Sequence, residues 1–128
     1  MKARNPQRQK LVRRQRRHGR IRTKVLGTAA RPRLAVYRSL RQIIAQLVDD
    51  TRGCTLLAVT EKALPPGKAE PVGDRGGKQA RAFALGKMIA AQAQKSGITT
   101  VVFDRGGFAY HGRIRAFAEG ARAGGLTF

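Results

Sequence analysis

The chain has 128 residues, the size of one ordinary domain, and it carries a formal net charge of +20 at pH 7. Charge of one sign at this density opposes compaction unless a polyanion neutralises it, so the composition favours a nucleic acid as the partner. It excludes a membrane-spanning protein, because no apolar stretch approaches the roughly 20 residues that a transmembrane helix needs. The first residues from Met1 lack the apolar segment of a signal peptide, so we expect a cytoplasmic protein without a membrane partner.

The cysteine and histidine content does not favour a disulfide or a metal site. The one cysteine, Cys54, cannot form an internal disulfide, and one cysteine with two separated histidines is no metal framework. We expect Cys54 to be a small core residue. The sequence predicts no metal, no cofactor and no small-molecule substrate.

Residues 1–32 predict a basic arm in front of a globular domain at residues 33–128. Thirteen of the residues from Met1 to Arg33 are basic and none is acidic. The segment has too few apolar residues to offset the entropy of ordering it, so we expect it to be loose until it meets its partner. Asn5 and Pro6 are typical of a helix start and Gly19 of a helix end, which predicts a helix at residues 6–18 in the bound arm.

The charge of this arm indicates what it binds. A solvated protein face mixes both signs of charge, whereas the arm is positive only, which is typical of a segment that binds a polyanion. Its candidate RNA-binding residues are Arg4, Arg8, Lys10, Arg13, Arg14, Arg16, Arg17, Arg20, Arg22, Lys24, Arg31 and Arg33.

Three strands are predicted after the arm. Apolar residues alternate from Leu34 and again from Ile43, which predicts two strands joined by a turn at residues 39–42. A second turn, at residues 49–53, leads into a third apolar run at residues 54–60. Together they predict an antiparallel meander whose largely apolar faces other elements must cover.

Two helices and a fourth strand complete the predicted domain. Prolines and glycines at residues 62–73 predict an exposed loop. Asp74 is a candidate cap for a helix that ends near Ser96, with Gly97 as its left-handed stop. One face of this helix is apolar or small and should pack on the sheet: Ala82, Leu85, Gly86, Ile89 and Ala93.

The remaining elements follow from two more apolar patterns. The β-branched run at residues 98–103 is typical of a central strand buried on both faces. A helical stripe then ends at Gly124-Gly125, where Leu126 is placed for a closing contact: Ile114, Phe117, Ala118 and Ala121. The sequence therefore predicts an α/β (α+β) sandwich in the order β-β-β-α-β-α, preceded by a basic arm that is partly helical when bound.

Three segments of the sequence resemble the bacterial large-subunit ribosomal protein eighteen family. They are RPRLAVYRS at residues 31–39, AQLVDD at residues 45–50 and VVFDRGGFAYHGRIRAFAEGARAGGLTF at residues 101–128. The resemblance covers nearly the whole chain, including the basic arm. The sequence departs from the family at Ile44, where the family usually has an aromatic residue, and in the unusual Pro65-Pro66 loop.

The resemblance implies a function more specific than charge alone indicates. It implies an α/β fold, tight binding to 5S rRNA and a structural role in joining that RNA to the large-subunit rRNA in the central protuberance, beside neighbouring large-subunit ribosomal proteins. The expected location is the ribosome of the cytoplasm.

Two turns of the domain are candidates for reading RNA, because RNA selectivity depends on shape and stacked bases and needs a pre-positioned surface. In the first turn, Arg38, Ser39 and Arg41 are candidates to clamp the RNA backbone. The alternative is an ordinary solvated hairpin.

The second candidate is the glycine-rich turn at residues 104–113, with Arg105, His111 and Arg113 as contact residues. Its glycines would let backbone N–H groups approach phosphates closely. The alternative is that they only permit a tight turn. For the two aromatic residues, Phe108 and Tyr110, a core position and a base-stacking position both remain open.

Two other function classes could use parts of this sequence. Four acidic residues near strand ends would suit a metal-dependent nuclease: Asp49, Asp50, Glu61 and Asp104. Each also has a plain role in a turn or beside an arginine, and no catalytic or nucleotide-loop motif is present, so we expect no enzyme. A sequence-independent DNA-compacting protein would use the same arm and is the alternative that composition leaves open.

Overall fold

Three strands form the predicted antiparallel meander: β1 (Arg33–Arg38), β2 (Ile43–Asp49) and β3 (Cys54–Thr60). The computed structural model describes residues 5–64 and 77–128. In the first turn the Ser39 hydroxyl donates to the Gln42 carbonyl at 3.0 Å and accepts from the Gln42 N–H at 3.1 Å. In the second, Asp49 accepts from the Thr51 N–H at 3.0 Å. Side chains that satisfy turn backbone in this way fix the hairpin register.

The fourth strand, β4 (Val102–Asp104), pairs in parallel with β1 and gives the strand order β3-β2-β1-β4. The fold class is confirmed, but the prediction of a central strand over residues 98–103 is wrong: β4 has three residues and lies at the sheet edge. Beyond it, Thr100 forms only an isolated bridge with Thr127. The apolar run is covered by the C-terminal residues, with the Phe128 ring stacked 5.2 Å from that of Phe103, and not by a further strand.

Helices α2 (Gly77–Lys95) and α3 (Arg113–Ala123) cover one face of the sheet, and the core lies between them and the strands. The predicted apolar faces of both helices are buried. Glycines bring the two helices together, because the space that a side chain would occupy at Gly86 is filled by Phe117 backbone, and at Gly120 by Phe83 backbone. Gly86 therefore serves helix-to-helix packing and not, as expected, contact with the sheet.

Both predicted helix ends are confirmed. After α2 the Ile98 N–H donates to the Ala93 carbonyl at 2.8 Å around Gly97, and after α3 the Leu126 N–H donates to the Ala121 carbonyl at 3.1 Å. The predicted cap Asp74 and most of the predicted loop lie outside the described residues.

The arm contains helix α1 (Pro6–Arg22). Its predicted start is confirmed, since the Asn5 side-chain oxygen accepts from the Gln7 N–H at 2.9 Å. The predicted end at Gly19 is wrong, because the helix continues to Arg22. A glycine inside a helix costs about 1 kcal/mol relative to alanine, and contacts of the last turn with the domain offset this cost.

Cys54 is exposed, so the prediction that it belongs to the core is wrong. It is the first residue of β3, which lies at the edge of the sheet and has little covering it there. No helix within residues 5–64 and 77–128 is long and apolar enough to cross a bilayer.

Candidate RNA-binding surface

One face of α1 is attached to the domain. It carries Arg14, Arg17, His18 and Arg22, which recur at the spacing of a helix face. The Arg17 Nε donates to the Gly107 carbonyl at 3.1 Å, and the Arg14 guanidinium lies 4.8 Å from the centre of the Phe108 ring. Two basic residues that were predicted to bind RNA therefore hold the helix on the glycine-rich turn.

The opposite face of α1 is free for a partner. It carries Arg13, Arg16 and Arg20, which are exposed and form no side-chain hydrogen bond or ion pair with any described residue. Spacing of three and four residues aligns the three guanidinium groups in one row. The candidates Arg8, Lys10, Lys24 and Arg31 are also exposed. The remaining arm candidate, Arg4, lies outside the described residues.

Arg33 occupies the centre of an ion-pair cluster beneath the arm. Its guanidinium donates to Asp50 at 2.9 and 3.1 Å and to Asp104 at 2.9 Å, and its side chain is only 13% exposed. Burial lowers the pKa of Arg33, but the hydrogen bonds that it donates to Asp50 and Asp104 raise the pKa by more, so the net shift is an increase. Arg33 was a candidate RNA contact, and here its charge is balanced within the protein.

The arm joins the same cluster through its last turn. The Arg22 Nη1 lies 3.4 Å from Asp50 and also donates to the Val25 carbonyl at 2.9 Å. The His18 ring lies 3.4 Å from Asp104. The hydrogen bond from Arg33, with that from the Gly27 N–H, holds the pKa of Asp50 well below its usual range.

The four acidic residues that would suit a nuclease centre have structural partners instead. Asp50 and Asp104 belong to the Arg33 cluster, and Asp49 accepts from Thr51, whose hydroxyl lowers the pKa of the Asp49 carboxyl. Glu61 accepts from the Ile43 N–H at 3.2 Å. Within the described ranges no group of three His, Cys, Asp or Glu side chains is arranged to hold a metal ion.

The three candidate RNA-binding residues of the first turn differ in their availability to a partner. Arg38 and Arg41 are exposed, whereas the Ser39 hydroxyl is used inside the turn. The carbonyl of Ser39 accepts from the Arg113 Nη1 at 3.2 Å. The structure thus brings Arg113, from the start of α3, to the same turn as the two exposed arginines.

The glycine-rich turn is shaped by packing. Gly106 and Gly107 have φ of +64° and +78°, and the Gly106 N–H donates to Asp104 at 2.9 Å. A β-carbon at residue 106 would lie 2.8 Å from the Val36 carbonyl oxygen, and one at residue 107 would lie 2.7 Å from that of Arg14. The two glycines therefore let the turn approach β1 and α1, and the Gly106 N–H is not available to a phosphate. The candidates Arg105 and His111 form no side-chain hydrogen bond or ion pair among the described residues.

The aromatic residues of this region have distinct positions. Phe108 is buried, in the core, and Tyr37 packs edge-on against it with ring centres 5.9 Å apart. Tyr110 is partly exposed and packs edge-on against Phe103. Ile44 pairs with Tyr37 in the sheet register and is half-buried on the face opposite α2 and α3.

Sequence reasoning missed three further basic residues near the first turn: Lys62, Lys78 and Arg81. They follow β3 or begin α2, yet they line one cleft with Arg38 and Arg41. Their positions in the sequence, 20 or more residues beyond the turn, gave no signal of this proximity.

Comparison with known proteins identifies the family. Residues 8–128 match the model of the family described as ribosomal L18 of archaea, bacteria, mitochondria and chloroplasts. The chain belongs to the ribosomal L18 family. The resemblance seen in the sequence is confirmed, and so is the prediction of a structural ribosomal protein of the cytoplasmic ribosome and not an enzyme.

Members of the ribosomal L18 family from several bacteria are similar along most of their length. The large ribosomal subunit protein uL18 of Desulforudis audaxviator is 56% identical over 115 residues, which is 90% of this chain and 92% of that protein. The proteins of the same name from Chlorobaculum parvum and Clostridium botulinum (strain Okra) are 51% and 52% identical, over 93% and 90% of this chain and 96% and 92% of their own lengths.

Proposed function

We propose that this protein is a structural constituent of the large ribosomal subunit that binds 5S rRNA and helps attach it to the large-subunit rRNA in the central protuberance, beside other large-subunit proteins. The observation that carries the proposal is the division of α1 into two faces. One face is held on the domain, and the other presents Arg13, Arg16 and Arg20 without partners among the described residues. The choice of 5S rRNA rests on the family resemblance.

The division between the faces gives the basic residues different roles. The outward row, with Lys10, Lys24 and Arg31, would bind phosphates, and Arg38, Arg41, Arg105, His111 and Arg113 would bind at the two turns. Arg17, Arg22 and Arg33 would act by positioning α1, because their charges are engaged inside the protein. Ser39 would position the first turn.

The outward row can be tested in the full chain without disturbing the contacts that hold α1. The triple variant Arg13→Gln, Arg16→Gln, Arg20→Gln removes three charges while keeping good helix-forming residues. The matched control is Arg52→Gln, Lys87→Gln, Lys95→Gln, which removes three exposed charges elsewhere. Binding to 5S rRNA, an unrelated structured RNA and duplex DNA is measured at several salt concentrations.

We expect the wild-type chain to prefer 5S rRNA at high salt. Each lost phosphate contact reduces the slope of log K against log salt by roughly 0.7 to 0.9, so the outward variant should lose about 2 to 3 from the slope and the control far less. Equal binding of all three nucleic acids at every salt concentration would favour the DNA-compacting alternative and overturn the 5S proposal.

A further inference from the structure

A basic cleft lies between the β1–β2 turn, the short 3-10 helix Glu61–Ala63 and the start of α2. It has a volume of about 1040 Å³. Its described lining contains seven basic residues and one acidic residue, Glu61. The Glu61 carboxylate is already used, because it accepts from the Ile43 N–H at 3.2 Å and lies 3.9 Å from Arg81. Most of the positive charge in the cleft is therefore not neutralised by the described residues.

Cations from two helices hold one wall of the cleft in place. The Lys78 Nζ donates to the Leu40 carbonyl at 3.2 Å, and the Arg113 Nη1 donates to the neighbouring Ser39 carbonyl at 3.2 Å. Each contact uses one N–H donor, whereas the Lys78 ammonium group has three donors and the Arg113 guanidinium group has five. The Nε and Nη2 of Arg113 are buried without a hydrogen-bond partner among the described residues. The turn is thus fixed by Lys78 and Arg113, whose charges are not paired with a carboxylate of residues 5–64 or 77–128.

The shape and lining of the cleft favour an extended polyanion over a small anion. The cleft is open, and its cations come from α1, the first turn, the 3-10 helix, α2 and α3, so one compact anion cannot contact them all. Half-exposed Tyr37 contributes an aromatic ring to the same lining. A basic groove with an aromatic side chain is the combination that binds the backbone and bases of single-stranded or looped RNA. An acidic protein segment would not use the ring in this way.

We infer that this cleft is a second RNA-binding site, which takes a looped or single-stranded segment of the sugar-phosphate backbone through Lys62, Lys78 and Arg81 together with the arginines of the first turn. The inference rests on the proposed function, which supplies the RNA, and adds a site that is separate from the outward face of α1. The arm and the cleft would then hold different parts of the RNA.

A matched pair of variants tests the cleft in the full chain. Lys62→Gln, Lys78→Gln removes two charges from the cleft, and Lys87→Gln, Lys95→Gln removes two exposed charges from α2, about 13 and 25 Å further along the helix. Binding to 5S rRNA is measured against salt concentration. We expect the cleft variant to lose about 1.5 from the slope of log K against log salt and the α2 control to keep the wild-type slope.

A single variant and a footprinting experiment show whether a reduced slope arises from lost phosphate contacts in the cleft. Lys62→Gln alone removes an exposed side chain that has no bond to a described residue, and it should lose roughly 0.7 to 0.9 from the slope even if Lys78→Gln alters the turn. Phosphate ethylation interference on 5S rRNA should show a run of phosphates whose ethylation weakens binding of the wild-type chain. Ethylation of the same phosphates should no longer weaken binding of the cleft variant.

The outcomes separate this inference from the proposed function. If the wild type prefers 5S rRNA but the cleft variants bind like the α2 control, the cleft inference is overturned and the proposed function stands. An acidic protein ligand would give that same result. If the wild type shows no preference for 5S rRNA, the proposed function fails, while a reduced slope in the cleft variants on any RNA would still support the cleft.

Discussion

Charge alone does not tell which arginines of this protein bind RNA. In the sequence, Arg33 and Arg13 are equivalent members of one basic run. In the structure, Arg33 is surrounded by two carboxylates and Arg13 points to solvent. The difference arises from Asp50 and Asp104, which lie 17 and 71 positions from Arg33 in the chain. A pairing between residues so far apart has no local sequence signal.

The Asp50 contact predicts an acid-dependent loss of stability. Because Arg33 lowers the pKa of folded Asp50, the ionised carboxylate stabilises the fold above the unfolded pKa of about 3.9, and this contribution is lost as the pH falls toward the folded pKa. Asp50→Asn should lower the free energy of unfolding by about 2 kcal/mol at pH 7. Urea denaturation at pH 7, 5 and 3 should show the gap between variant and wild type closing below about pH 4.

An exposed ion pair supplies the control for this prediction. Arg115 and Glu119 lie 2.9 Å apart one helical turn from each other, and such exposed pairs contribute about 0.5 kcal/mol or less. Arg115→Gln should therefore change the stability little at any pH. A gap between Asp50→Asn and the wild type that is equal at pH 7 and pH 3 would contradict the assigned role of the Asp50 charge.

At the scale of elements, one of the contacts that attach α1 to the domain is a close approach at Gly107. Gly107→Ala should disturb this attachment in two ways, through the positive φ of +78° and through a β-carbon 2.7 Å from the Arg14 carbonyl oxygen. The matched control is Gly97→Ala, which has φ of +76° and open space around the added carbon. Both should lose about 1–2 kcal/mol to backbone strain.

Only the Gly107 variant should release α1. Hydrogen exchange of the amides in α1 should become faster in Gly107→Ala and stay at the wild-type rate in Gly97→Ala, after correction for global stability. Equal exchange of α1 amides in the two variants would mean that the attachment of α1 does not depend on its close approach to Gly107. Since Arg14 and Arg17 belong to the attached face, release should also reorient the outward row.

The elements that were predicted from sequence are those with local causes. The meander followed from alternating apolar residues and turn-forming side chains, and both helix stops followed from glycines with positive φ. The position of β4 at the sheet edge did not follow from the sequence. A run of β-branched residues indicates that the segment is buried but does not indicate which element covers it. Here Phe128 and Thr127 cover it from the far end of the chain. The end of α1 was mispredicted because tertiary contacts of His18 and Arg22 outweigh the low helix propensity of Gly19.

In the candidate site too, features with a local cause were predictable and features that depend on distant contacts were not. The basic arm and the two arginines of the first turn were predictable, because charge is read directly from the residue type, whereas the choice of Arg13, Arg16 and Arg20 as the outward row was not, because it depends on which face of α1 packs on the domain. The cleft was not, since it combines residues from the first turn, the 3-10 helix and α2 that only the folded chain brings together.

At the scale of the whole molecule, the net charge of +20 should make salt act in opposite directions on folding and on binding. Repulsion between exposed cations destabilises the free fold, and salt screens it, since the Debye length falls from about 30 Å at 0.01 M to about 10 Å at 0.1 M. The Arg33 cluster is largely buried and is screened much less, so its attraction should persist. We therefore expect the urea midpoint of the free chain to rise between 0.01 and 0.2 M NaCl, while its affinity for RNA falls.

The outward variant of α1 shows whether repulsion is the cause. With three charges of the row replaced by glutamine, the free chain should already be more stable at low salt, and its urea midpoint should rise less with added NaCl. The three-charge control at Arg52, Lys87 and Lys95 should show a smaller effect, because its members are spread over the domain and not aligned in one row. A midpoint that falls with salt would mean that attractive ion pairs, and not the excess of positive charge, dominate the electrostatics of the free protein. If it rises, the repulsion that RNA relieves on binding is already measurable in the free chain.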